Sequence, residues 1–292
     1  MKAYKDANSQ VQHSHRCPSP LVSSHESRTP NPGSRIPNPN PEPRASRLSG
    51  RIILITGASR GIGLTIAKAC AAEGARVVLV ARSEQLLRDA ARGIPGADSC
   101  IGDVTDERDV ARLFQGIRRR HTRLDVLVNN AGVFTYKPFV RTTPADWQNN
   151  IQTNLTSLYL VTRAALPLLR RSSAAHIVNI LSVSSRIAFP NCSAYCASKF
   201  GALGFTRVLA EELRPDGIRV TAILPGSTST RMSNEFDFPL DRRRLLQPRD
   251  VADTVLAALL VPPRGTVDEI LLTPSQGSLA ASPRPDKKRP KR

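Results

Sequence analysis

Tyr195 and Lys199 stand four residues apart, in a stretch (193–213) whose pattern predicts a long helix, so both fall on one helical face. The pair has a chemical use. A phenol at its ordinary pKa of about 10 is a poor acid or base at neutral pH. A neighbouring ammonium favours the phenolate and lowers that pKa. Bringing it near neutrality takes roughly 4 kcal/mol of differential interaction. A second constellation lies far upstream, Thr56-Gly57-Ala58-Ser59-Arg60-Gly61-Ile62-Gly63. Glycines at 57, 61 and 63 suit a tight turn, close approach of backbone to a pyrophosphate and close packing of a helix on a strand. The helix N-terminus then presents N–H groups to phosphate. The spacing is Gly-x-x-x-Gly-x-Gly rather than Gly-x-Gly-x-x-Gly. Each pattern has a bland reading, a helix pair that only packs or a ligand-free connection.

The choice of nucleotide is also legible. An acid about 20 residues after the turn suits a ribose 2′-hydroxyl, and an arginine suits a 2′-phosphate. After the second predicted strand come Ala81 and Arg82, with no acid until Glu84, and Arg60 adds a cation inside the turn. The pattern favours NADP(H) over NAD(H), the alternative being that both arginines are solvated. A bound nicotinamide's positive charge would help Lys199 to favour the Tyr195 phenolate.

These residues need a scaffold that brings 57–63 and 195–199 together. Apolar runs at 51–56, 76–80, 98–101, 124–128, 176–181, 219–223 and 269–272 predict strands. Helical patterns at 62–73, 83–92, 106–119, 145–171, 193–213 and 251–260 alternate with them. Ser83 is the expected N-cap of its helix, and Pro167 is expected to interrupt the long 145–171 helix near its end. Alternation of apolar strands with helices predicts an α/β fold, a single doubly wound Rossmann-type domain with a mostly parallel seven-stranded sheet.

Taken together, Thr56–Gly63, Asn129-Asn130-Ala131-Gly132, Ser182, Tyr195-Cys196-Ala197-Ser198-Lys199 and Pro225-Gly226 followed by Thr230 resemble the classical short-chain dehydrogenase/reductase family, over about residues 48–275. The resemblance implies Tyr195 as general acid/base and Lys199 as the group that binds the nicotinamide ribose and depresses the phenol's pKa. It implies Ser182 as hydrogen-bond partner of the substrate oxygen, its spacing to Tyr195 setting it apart from Ser184 and Ser185. Asn154 would hold a water in the proton relay, unless it is a surface helix residue. The implied cofactor contacts are Gly57, Ser59, Arg60, Gly61, Ile62, Gly63, Arg82, Asp103, Val104, Asn130, Ala131, Gly132, Tyr195, Lys199, Pro225, Gly226 and Thr230. Residues 227–247 would form a substrate lid, and a homodimer or homotetramer is implied.

Composition bounds the rest. The chain has 292 residues, 40% hydrophobic and only 4% aromatic, so the core is expected to be aliphatic. Of the formal charge of +18, half lies in two tails. Residues 1–47 carry seven Lys/Arg against three acids, with eight prolines between Pro18 and Pro43. Residues 276–292 carry six against one. Both tails are expected to be disordered, and nucleic acid is not an expected partner of the body. Five cysteines without a Cys-x-x-Cys pair fit a reducing compartment. No metal site, membrane span or secretory signal is expected. The expected location is cytoplasmic, with organelle import through the N-terminal tail or nuclear entry through the basic C-terminus as alternatives. The function these features imply is an NADP(H)-dependent oxidoreductase acting on a small carbonyl or secondary alcohol, a 3-oxoacyl thioester reductase being the specific version. A non-catalytic NADP-binding regulator of the same fold is the alternative.

Overall fold

The computed structural model describes residues 46–236 and 240–276. The tail expectations for 1–45 and 277–292 lie outside the described residues. Just before the expected domain start at 48, Arg47 donates to Glu73 through Nε at 2.8 Å.

Seven strands form one sheet: β1 Ile52–Thr56, β2 Arg76–Ala81, β3 Asp98–Ile101, β4 Val126–Asn129, β5 His176–Ile180, β6 Arg219–Pro225 and β7 Glu269–Leu272. Every pairing is parallel, in the order β3-β2-β1-β4-β5-β6-β7. The helices are α1 Gly61–Ala72, α2 Glu84–Arg92, α3 Glu107–Arg120, α4 Pro144–Ile151, α5 Ser157–Leu169, α6 Ser193–Leu213 and α7 Pro248–Leu259.

Continuous apolar strands are needed because both faces are covered. Along β1, Ile53 and Ile55 enter the cluster that packs under α1, α2 and α7. Leu54, between them, enters the cluster under α3, α5 and α6. The chain reverses its direction of travel across the sheet between β1 and β4. At such a switch point the loops leaving two adjacent strands part and open a crevice at the carboxyl edge. That edge gathers every residue singled out above.

Two local features depart from expectation. The helical stretch after residue 144 is interrupted at Gln152–Thr156, where one π turn separates α4 from α5. It is not interrupted at Pro167, inside α5. Pro167 lies on the exposed side near the helix end, where the Arg163 carbonyl that loses its helical donor can bond to water. Ser83 does occupy the N-cap of α2, but its side chain makes no capping bond.

The layers are tied by a buried polar ladder. Asn129 Nδ2 donates to Thr162 Oγ1 (3.1 Å) and to Asn179 Oδ1 (2.9 Å). Asn179 Nδ2 donates to Thr206 Oγ1 at 2.9 Å, and that hydroxyl donates to Ala202 O. Adjacent strands β4 and β5 are thereby locked to α5, which follows the turn holding Asn154, and to α6, which carries Tyr195 and Lys199.

Candidate active site

At the nucleotide end, the loop after β1 is built around positive backbone angles. Gly57 (φ 64°) and Gly61 (φ 57°) occupy left-handed conformations that side chains disfavour. Gly63 is needed for space: a Cβ there would lie 2.4 Å from Asn130 Nδ2 and 2.6 Å from the Gly57 carbonyl oxygen. The turn is stitched to the β4 loop. The Thr56 hydroxyl accepts from the backbone N–H of Asn130 (3.0 Å) and of Ala131 (3.1 Å). The Asn130 amide donates back to the Thr56 carbonyl at 2.9 Å.

The first turn of α1 has no side-chain cap and no acid, so its leading N–H groups are free to meet an anion. Thr230, at the start of the lid, faces this turn, its Cγ2 4.0 Å from where a Gly61 Cβ would be. Gly226 follows β6 and lies against Pro274. Ser59 and Ile62 are half-buried, Arg60 is exposed and Val104 is buried. Arg82 Nη1 lies 3.4 Å from Asp103 Oδ2, so two residues expected at the cofactor meet across the mouth of the turn. Burial works to raise the Asp103 pKa, but hydrogen bonds from Thr105 and the Arg82 charge hold it below the usual range.

At the other end, Tyr195 and Lys199 emerge from the first turns of α6, both buried. Ser182 caps the short turn that follows β5, accepting from the Ser184 N–H at 3.1 Å, and its side chain works to lower the Tyr195 pKa. Lys199 Nζ donates to the Ile180 carbonyl at 3.2 Å and sits 5.8 Å from the centre of the Tyr195 ring.

Asn154 is buried in the π turn, not on the surface. Its amide donates to Val133 O and to Ser198 Oγ, both at 3.0 Å, and its Oδ1 accepts from Val133 N–H at 2.9 Å. The extra residue of a π turn re-aims a side chain, and such turns recur at functional sites. Gly132 lies between Asn154 Oδ1 and Lys199 Nζ, 3.3 and 3.9 Å from its would-be Cβ.

Burial sets the electrostatics. It pushes the Tyr195 phenol up to about 12, against the opposing hydrogen bond from Ser182. It also pulls the Lys199 ammonium down to about 8. The expected lowering of the phenol's pKa rests on Lys199 together with a bound nicotinamide, and with the protein alone burial is the largest influence on Tyr195. Lys199 Nζ is bound to a carbonyl rather than to the phenol.

With this geometry in view, the chain's relatives can be placed. Residues 51–238 match the profile of the short chain dehydrogenase family. The chain belongs to that family. An uncharacterized oxidoreductase of Staphylococcus saprophyticus is 32% identical over 232 residues, covering 78% of this chain and 98% of its own length. The sepiapterin reductase of Chlorobaculum tepidum is 32% identical over 248 residues, with the same coverage. Among solved structures, a metagenomic short-chain oxidoreductase in complex with NADP superposes with a TM-score of 0.69 at 35% identity, covering 78% of this chain and 99% of that one.

This short-chain dehydrogenase also shows residues that sequence reasoning missed. Phe134 and Tyr136 from the β4 loop, Phe189 from the β5 loop and Phe236 from the lid gather around Tyr195. Phe134 meets the Tyr195 ring edge-on, at 4.8 Å between centres and 85° between planes. Cys192 and Cys196 complete the cluster, the Cys192 thiol pushed up to about 12 by burial. In a chain this poor in aromatics, Phe134 and Tyr136 so close together were the available signal.

Among its described residues the expected lid has two short 3-10 turns, Arg231–Glu235 and Arg242–Arg244. It is closed at its base, where Ser229 N–H donates to Leu246 O at 2.7 Å and Leu246 N–H to Ser227 O at 3.0 Å.

Proposed function

We propose that this protein is an NADP(H)-dependent oxidoreductase that exchanges hydride with a carbonyl or secondary-alcohol carbon. The observation that carries the reading is the convergence of Tyr195, Ser182, Lys199 and Asn154 at one crevice, beside a glycine turn whose helix N-terminus is uncapped. The cofactor, when bound, supplies or accepts the hydride.

The chain's own residues do the rest. The N–H groups at the start of α1 take the pyrophosphate. Arg82 and Arg60 favour a 2′-phosphate, for which Arg82 would exchange its long contact with Asp103. Asp103 and Val104 face the adenine end. Asn130, Ala131 and Gly132 form the floor, and Pro225, Gly226 and Thr230 flank the nicotinamide end. A related structure holding NADP supports this choice of nucleotide.

Ser182 orients the substrate oxygen, and Tyr195 gives it a proton as the carbonyl carbon is reduced. A phenol near 12 is fully protonated at neutral pH and serves as the acid in that direction. An ammonium near 8 is mostly charged at pH 7 and stabilises the phenolate left behind. Asn154 Oδ1 keeps a second lone pair with which to hold a relay water that returns the proton. Exposed apolar side chains on the long helices, Tyr159 on α5 and Phe200 and Val208 on α6, support a homo-oligomer.

The test is NADPH oxidation with a panel of ketones, aldehydes and a 3-oxoacyl thioester. Tyr195→Phe should lower turnover by about 10²–10⁴-fold with NADPH affinity unchanged. NADPH binding with no turnover of any carbonyl would instead favour a regulator.

A further inference from the structure

Resting on the reading of Tyr195 as proton donor, we propose that the substrates are apolar, planar carbonyl compounds, ketones or aldehydes that carry an aromatic ring. Phe134, Tyr136 and Phe236 would form the cage that recognises that ring.

Three observations converge. The first is concentration. Aromatics are 4% of the chain, and the two main core clusters are aliphatic apart from Phe114 among their buried members. Around Tyr195 four further rings gather from three separate loops. Phe236 lies 5.0 Å from Phe134 and 5.2 Å from Tyr136.

The second is exposure. Phe134, Tyr136, Phe189 and Phe236 are all half-buried, whereas rings that merely fill a core are covered, as Phe114 is. Half-covered rings keep exposed surface, and arenes meet one another in offset and edge-to-face contacts.

The third is anchoring. Tyr136 is pinned by its hydroxyl, which accepts from Asn191 Nδ2 at 3.0 Å. Asn191 is itself held in a left-handed conformation (φ 64°), and its carbonyl accepts from Lys137 N–H at 2.8 Å. A rigid ring wall loses little freedom on binding, which favours affinity.

The polarity of the lid agrees. Two of its cations bond within their own loop, Arg242 to Ser229 and Asn234 and Arg243 to Asp241. The buried Cys192 and Cys196 add small side chains to the same cluster. An acyl thioester would bring an extended polar chain to this wall, and a saturated ring would fit its volume without matching its stacking geometry.

The experiment compares acetophenone with cyclohexyl methyl ketone and with an acetoacetyl thioester of N-acetylcysteamine. The full chain and its Phe134→Leu and Phe236→Leu variants are assayed, with NADPH affinity measured in each to verify the fold. The expected kcat/KM for acetophenone is about tenfold above that for the cyclohexyl ketone. The leucine variants should bring that ratio within about threefold and leave NADPH affinity in place. Equal or better use of the cyclohexyl ketone or the thioester by the wild type overturns the proposal, as does an unchanged ratio in both variants.

If no carbonyl turns over, the proton-donor reading has failed. Calorimetric binding to the enzyme–NADP⁺ complex then decides the cage separately. Preferred binding of acetophenone, weakened in Phe236→Leu, supports it, and equal binding of the two ketones overturns it.

Discussion

Around Gly57 the crevice is held by bonds between side chain and backbone. Thr56, Asn130 and Ala131 bond one another across adjacent strands, two glycines supply left-handed turns, and a third admits the helix. Around Tyr195 it is held by side chains, with rings from three loops and amides from a π turn and a polar ladder. On the proposed reading, the first half recognises what is constant in a ligand, its phosphates. The second can vary ring by ring without disturbing a strand. Nucleotide recognition would then be a property of the fold's turns, and substrate recognition a property of the loops that meet above them.

The comparison breaks most readily at Gly63. A Cβ there overlaps the Gly57 carbonyl, which is backbone and cannot swing away. Gly63→Ala should cost on the order of 3 kcal/mol of stability and abolish saturable NADPH binding in a fluorescence titration. A leucine in place of Phe134, by contrast, should leave that titration unchanged. If Gly63→Ala binds NADPH normally, the glycine turn does not set nucleotide recognition.

Acid tests the scaffold that both halves share. His176, at the opposite end of β5 from Ser182, is buried and held near pKa 3 by burial and by the charges of Arg219 and Arg51. The Thr221 hydroxyl gives its hydrogen to Val267 O, so His176 must donate to Thr221 from Nε2. Nδ1 is then a bare acceptor without a hydrogen-bond partner. The folded-state pKa lies below the unfolded value of about 6.5, so between these two values the unfolded chain binds the extra proton. Stability should fall as pH drops through that window, by on the order of 4 kcal/mol at pH 3 from this group alone. Urea midpoints measured from pH 7 to pH 4 should decline less steeply in His176→Gln than in wild type. Parallel slopes would mean that His176 charges as readily folded as unfolded.

A smaller effect separates the ladder from the turn. Asn179→Ala removes one of the two acceptors of the Asn129 amide and the donor to the Thr206 hydroxyl, at about 1–3 kcal/mol. The loss should appear in thermal unfolding and in turnover, because α5 and α6 are repositioned. NADPH affinity should change little, since Thr56 and Asn130 do not bond to the ladder. An equal loss of affinity would show that the two halves are not independent.

What was legible in the sequence follows the same division. Tyr195 with Lys199, and the glycines at 57, 61 and 63, lie close in the chain, so a spacing rule suffices to find them. Strand–helix alternation located every strand of the sheet, and β3, α6 and β7 agree with expectation residue for residue. Three features needed the tertiary structure. Nothing in the composition of Gln152–Thr156 announces a π turn, because the extra residue is demanded by what Asn154 must reach, Val133 and Ser198. Phe189 and Phe236 are far from Phe134 in sequence, and only convergence at Tyr195 makes them one wall. The direction of the Tyr195 shift depends on burial, which a four-residue spacing does not express.

The central claim is that the crevice beside the glycine turn binds NADP(H) and that Arg82 selects its 2′-phosphate. Fluorescence titration of NADPH and NADH on the wild type and on Arg82→Ala tests it most directly. The account predicts tighter binding of NADPH than of NADH by the wild type, and a loss of about tenfold or more of that preference in the variant, with NADH affinity unchanged. Equal affinity of the wild type for both nucleotides would contradict the role of Arg82, and binding of neither would contradict the account as a whole.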